Sequence, residues 1–229
     1  MEGLGIAKKK TMEEKLNTLR AGVLGSNDGV LTVVGVLFSV GAATTNHFTI
    51  FIAGLCDLIA CAFSMAAGEY ASVSAQKDTE KAVVAKEEQL NKYNSSEQIE
   101  RVAQFYQNKG VSQATARAIA IDLMDKYPLQ TVLSVKHDIR LGHYANPWLA
   151  AVASLFSAGL GGCLPLIAMT MLPAPLQWEG TIVAVIFASI IIGYLSARIG
   201  RGFAKKAIVR NLIIGIITMC IHYYVGILL

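Results

Sequence analysis

Five blocks of apolar residues, each close to the length of a bilayer crossing, constrain this chain more than any other feature. They run from about Leu19 to Ala43, Phe48 to Ala67, Trp148 to Met171, Gly180 to Ala197 and Ala207 to Leu229. About 20 residues at 1.5 Å per residue cross the ~30 Å of hydrocarbon in a membrane. Backbone amides in hydrocarbon must be satisfied within the segment, so such blocks fold as helices. Only 16% of the 229 residues are charged, whereas a soluble domain carries about a quarter. An unusually apolar soluble bundle would spread that deficit along the chain; here it is concentrated in the blocks. The predicted fold class is an all-α membrane protein, with five transmembrane helices and a cytoplasmic helical insert between the second and third spans.

The basic residues fix the expected orientation. All twenty Lys and Arg fall in three places: the segment up to Arg20, the polar insert, and Arg198 to Arg210. Neither Thr44–His47 nor Leu172–Glu179 contains one. With five spans those three places share one side, and the positive-inside rule makes that side the cytoplasm, leaving the C-terminus outside. The net charge of +4 therefore reads as a topology signal, not a nucleic-acid footprint, because the cations flank apolar spans and do not interleave with aromatics. Lys8, Lys9, Lys10 and Lys15 precede any apolar core, so a cleavable signal peptide is not expected. Cys56, Cys61, Cys163 and Cys220 all lie in apolar stretches without a CxxC pair, which predicts neither a disulfide framework nor a zinc site. The chain divides into residues 1–75, 76–146 and 147–229.

The insert reads as helices. Gln76 to Lys92 lacks Gly and Pro and is predicted to continue the second span as one long helix. Asn94 to Ser96 breaks it, with Ser96 a candidate cap for a second helix to Asn108. Gly110 ends that helix; Ser112 opens a third to Tyr127, stopped by Pro128, and a last piece runs from Thr131 to Leu141. Val102, Phe105 and Tyr106, with Ala118, Ile119, Leu123 and Met124, have the spacing of apolar faces that bury one another.

Two acids inside spans carry the first chemical signal. Asp28 and Asp57 each lie about nine residues into a span, where an ionised carboxylate costs at least ~2.5 kcal/mol on insertion scales. Such a group either lines a water-filled path or is held neutral by hydrogen bonds, and the sequence leaves both open. Asn27 and Gly29 make the surroundings of Asp28 polar and close to backbone. On the second span Asp57, Cys61 and Met65 follow at i, i+4 and i+8 and form one stripe, extended by Ser64, Gly68 and Glu69. Carboxylate oxygen with thioether sulfur suits a borderline transition ion better than Mg²⁺ or Ca²⁺, although Met and Cys also serve as plain apolar filler.

Gly25 and Gly29 form a small-xxx-small pair that lets two helices approach closely, either a neighbouring span or the same span of a second subunit. Ser154, Ala158 and Gly162 repeat the pattern in the third span, where tight packing is the expected use. In the insert, Glu80, Glu87, Glu88, Glu97 and Glu100 are followed by Asp122, Asp125 and Asp138, with His137 and His143 near the return to the membrane. These are either a solvated charged face, as Lys81, Lys86 and Lys92 suggest, or carboxylates that converge on metal ions.

Two stretches resemble the vacuolar iron transporter family: Leu24-Gly25-Ser26-Asn27-Asp28-Gly29-Val30 and Ser64-Met65-Ala66-Ala67-Gly68-Glu69-Tyr70-Ala71-Ser72-Val73-Ser74. The likeness continues through Gln76-Lys77-Asp78-Thr79-Glu80-Lys81-Ala82, Asn146-Pro147-Trp148 and the small-residue run to Pro165, and a prokaryotic member is expected. The resemblance implies a five-span homodimer in the cell membrane that exports Fe²⁺ in exchange for protons along the subunit interface. It implies metal ligation by Asp28 and Met65, a deeper acid at Asp57, and metal collection by Glu80, Glu87, Glu88, Glu97 and Glu100. Glu69, as a relay at the end of the stripe, and Asp138 complete the candidate metal-site residues.

The chain departs from that pattern in the insert. A Met-containing, Glu-bearing stretch is replaced by Ser134-Val135-Lys136-His137-Asp138, and Leu90, Gln98 and Arg101 stand where glutamates are expected. The resulting expectation is an antiporter for a divalent ion as substrate (Fe²⁺, with Mn²⁺, Co²⁺ or Zn²⁺ as alternatives), not an enzyme, without a cofactor or nucleic-acid partner. A membrane metal sensor without transport and an exporter of organic cations are the competing readings.

Overall fold

The structure, a computed structural model, describes residues 12–142 and 144–228, the side chains of residues 12–15 excepted. His143, Leu229 and the lysines at 8–10 lie outside the described residues. Among the described residues eight α-helices follow in order: α1 Met12–Ala43, α2 His47–Tyr93, α3 Ser95–Asn108, α4 Gln113–Lys126, α5 Pro128–His137, α6 Pro147–Met171, α7 Gln177–Ile199 and α8 Ala204–Leu228. A short 3-10 turn, Ala174–Leu176, precedes α7. Among the described residues there is no strand, and five helices (α1, α2, α6, α7 and α8) are long and apolar enough to cross a membrane. The chain is an all-helical, multi-pass integral membrane protein.

Two compact units result, residues 1–72 with 146–229, and residues 73–145, and α2 supplies residues to both. In the first unit the spans start and stop where polar side chains satisfy orphan amides. Asn146 caps α6 by accepting from the amides of Trp148 at 3.0 Å and Leu149 at 3.3 Å, with Pro147 in the first turn, where its missing N–H costs nothing. The Asn46 side chain accepts from the Thr49 amide at the start of α2. Gln177 donates to the Leu172 carbonyl and to the His47 ring, each at 3.1 Å, so the two links without basic residues meet at one end of the bundle.

The core of this unit is built around α1. Val30, Val34 and Phe38 are buried with Val185, Ala188 and Met219 of α7 and α8, while Val33 and Leu37 are buried with Ile50, Leu166 and Met169 of α2 and α6. The Gly25–Gly29 pair faces α6. A Cβ on Gly29 would fall against the Ala158 backbone, and one on Gly161 against the Ser26 backbone. The small residues of α1 are thus used within the chain, and those of α6 serve tight packing as expected. By contrast the span half of α2 is mostly uncovered: Phe51, Ile52, Ile59 and Phe63 are exposed.

The second unit buries Val102, Ala103, Ala120, Met124 and Val132, with Ile99, Tyr106 and Val135 against them. Three details differ from the sequence reading. Asn94, not Ser96, occupies the N-cap of α3. Ala116 and Ala120 face inward where Ala118 was expected to, because the register of α4 is set by Ser112, whose hydroxyl accepts from the Thr115 amide. The last insert helix begins at Pro128 and ends at His137, not Thr131 to Leu141. A proline with fixed φ is well suited to a first helical position, and Asp138 leaves the helix in the left-handed region at φ 53°.

Candidate functional site

Asp28 of α1 and Asp57 of α2 both lie near Cys61 of α2. Asp28 lies one turn before Thr32, whose hydroxyl donates to the Asp28 carbonyl at 2.9 Å. The Thr32 side chain also lies near the Asp57 carboxyl and the Cys61 thiol, and both Asp28 and Asp57 are close enough for their charges to act on Cys61. From α8, His222 acts electrostatically on Asp57. Its Nδ1 lies 3.2 Å from the Ser39 hydroxyl, which donates to the His222 carbonyl at 3.0 Å. The Oδ2 atom of Asp57 is buried and has no hydrogen-bond partner in the protein. A buried carboxylate oxygen without a donor is costly, and a cation or proton would remove that cost.

Toward the middle of α2 the stripe continues. Met65 is half-buried two turns beyond Asp57. One further turn on, Glu69 is 8% exposed and forms an ion pair with Arg20 of α1 at 3.5 Å, while its Oε2 accepts no hydrogen bond. Thr32, His222 and Arg20 are site residues that the sequence reading passed over. A threonine one turn from Asp28 and a histidine inside the last span were the available signals, since intramembrane titratable groups are rare.

The acids of the insert do not gather. Glu80 accepts from Gln76 at 2.8 Å, Glu88 pairs with Lys92 at 3.4 Å and Glu97 pairs with Arg101 at 2.7 Å, each within its own helix. Glu100 and Asp138 are exposed. Glu87 is different: it is 2% exposed and touches Lys136, His137 and Gln98. Burial by itself pushes its carboxyl up, but hydrogen bonds from Lys136 and His137, with their charges, outweigh that and leave it below the ordinary 4.5. Among the described residues, no three His, Cys, Asp or Glu side chains come together as a metal-binding group.

Fold and site together define a multi-pass membrane protein with acidic groups held between its first two spans. Comparison with known proteins carries this further. The model of the VIT family matches residues 19–227, and the chain belongs to that family. Among its relatives, a vacuolar iron transporter of Acanthamoeba castellanii is 36% identical over 185 residues, covering 81% of this chain and 67% of the relative. Vacuolar iron transporter homolog 1 of Oryza sativa subsp. japonica is 31% identical over 209 residues, covering 90% and 71%. Vacuolar iron transporter homolog 3 of Arabidopsis thaliana is 29% identical over 206 residues, covering 90% and 80%. The family resemblance read from the Asp28 and Met65 stretches is borne out.

Proposed function

We propose that this protein exports Fe²⁺ from the cytoplasm in exchange for protons, along a path where two copies of α1 and α2 face each other. The observation that carries this reading is the Asp57 oxygen, buried without a hydrogen-bond partner on the stripe that runs through Cys61, with Thr32 nearby. The names of the relatives support iron as the substrate. Asp28 and Met65 hold the ion, hard oxygen and soft sulfur together favouring a borderline transition metal. Asp57 and Glu69 pass ions or protons along the α2 stripe. Because each carboxylate binds either a metal ion or a proton, loading one releases the other, which is the chemistry an exchanger needs.

The homodimer is supported by an incomplete ligand set. Asp28, Asp57 and Met65 are only half-buried in one chain, and the adjoining face of α2 is uncovered. A second copy would supply the remaining donors of a six-coordinate ion. By the positive-inside rule the N-terminus and insert face the cytoplasm on this reading, and the half-buried Glu80 and the exposed Glu88, Glu97, Glu100 and Asp138 gather cations loosely there.

The test is flux into proteoliposomes. Asp28→Ala should abolish Fe²⁺ movement while the protein keeps its wild-type elution and melting behaviour; undiminished transport refutes the role of Asp28. A trapped pH dye should report proton movement opposite to the metal, and a silent dye refutes exchange. Competition by Mn²⁺, Co²⁺ and Zn²⁺ ranks the substrates, and a stronger effect of Mn²⁺ would make manganese the cargo.

A further inference from the structure

Glu87 on α2 is the most completely buried acid of the insert, and its surroundings are arranged for a cation. Nζ of Lys136, from α5, lies 2.7 and 2.8 Å from its two carboxylate oxygens. The same ammonium is 3.5 Å from the Oε1 of Gln98 on α3, itself only 3% exposed. Gln98 returns its amide N–H to the Glu87 Oε2 at 3.2 Å, and the His137 Nε2 lies 2.9 Å from Oε1. One positive charge therefore fastens three helices by ligating a carboxylate and an amide oxygen, with an imidazole alongside. A hard divalent ion would serve the same purpose with the same donors.

The spacing fits the ammonium. Charge-assisted N–H···O bonds run about 2.7–2.9 Å, whereas metal–oxygen bonds of hard divalent ions run about 2.0–2.6 Å. We propose that Lys136 is a built-in cation that takes the place of a metal ion at Glu87, so that the insert folds without metal and these donors accept a divalent ion only when the ammonium is removed. A tethered charge competes at an effective concentration of millimolar order or above, without any loss of translational freedom at the moment of contact. The inference stands apart from the transport reading: it concerns residues 73–145 alone and holds or fails whatever the spans carry.

Limited proteolysis of the insert in the purified full-length protein, with EDTA or with Mn²⁺, tests it. In the wild type the rate of cleavage should agree within about twofold under the two conditions. In Lys136→Met, which keeps the apolar stem, Mn²⁺ at roughly ten times its Kd should slow cleavage about tenfold relative to EDTA, as preferential binding to the folded form requires. The double variant Glu87→Gln/Lys136→Met should lose that protection. A wild-type insert that Mn²⁺ protects and EDTA exposes overturns the proposal, as does Lys136→Met that folds without gaining metal protection. Should Lys136→Met fail to fold, the wild-type comparison decides by itself.

Discussion

Replacing Gly29 by alanine puts a close approach of two spans to a quantitative test. The added Cβ would stand 2.8 Å from the Ala158 carbonyl carbon and 3.0 Å from its Cα, and nearer still to the carbonyl oxygen. Ordinary contact begins at 3.4 Å, so α6 must retreat by about 0.6 Å or more, and backbone has no rotamer with which to yield. Overpacking of this kind costs about 1–3 kcal/mol. Gly22, two turns earlier on the same helix, has nothing within 4 Å of its Cβ position, so Gly22→Ala shares the change in helix propensity without the clash. The difference between the two variants therefore isolates the packing term. At about 2–4 °C per kcal/mol for a chain of this size, Gly29→Ala should melt several degrees below Gly22→Ala in detergent. It should also lower metal flux, because the substituted residue adjoins Asp28 in the chain. Equal melting temperatures for the two variants would refute the close approach of α1 and α6.

Two further outcomes follow from individual side chains. Glu87 has its folded-state pKa below the ordinary 4.5 because Lys136 and His137 face it, so its contribution to stability is complete above that value and is lost as the pH falls through the lowered one. Denaturant unfolding followed from neutral to acid pH should show a stability loss that is smaller in Glu87→Gln/Lys136→Met; an unchanged acid profile would contradict the pairing. Asn146→Ala removes the acceptor for two amides at the start of α6 and should cost about 0.5–2 kcal/mol, read as a lower melting temperature, with Asn146→Asp restoring most of it.

Much of the architecture was legible because the deciding properties are local. A largely apolar block of about twenty residues is long enough to cross the bilayer, and the absence of Gly and Pro from Gln76 to Lys92 carried α2 unbroken to Tyr93. A small-xxx-small pair announces that some helix comes close, but Gly25 and Gly29 carry nothing that names α6 as the partner. The same limit hid Thr32, His222 and Arg20, whose neighbours arrive from distant parts of the chain. It also hid the contrast between Glu87 and Glu88. Adjacent on one helix, they point about 100° apart, and only the placement of α3 and α5 buries one and leaves the other in water.

The sequence offered a solvated face or converging carboxylates for the acids of the insert, and a water-filled path or a neutral acid for those of the spans, yet the useful division is whether a fixed cation accompanies a buried one. Glu87 has Lys136, and Glu69 has Arg20 at a looser 3.5 Å. Among the described residues neither Asp28 nor Asp57 forms an ion pair with Lys or Arg, and the one ring facing Asp57, His222, carries charge only when protonated. An acid with a permanent counter-ion gains little from a second cation, since the ion must first displace the one in place. An acid that was carried into the bilayer without one gains the whole attraction, at a separation where the low dielectric makes it large. A carrier must bind its ion firmly enough to dehydrate it and release it again, and a carboxylate that alternates between metal and proton meets both demands. On the proposed reading, the acids that hold the mobile cargo are those of the spans without a fixed cation of their own, Asp28 and Asp57, while Glu69 beside Arg20 passes ions or protons on.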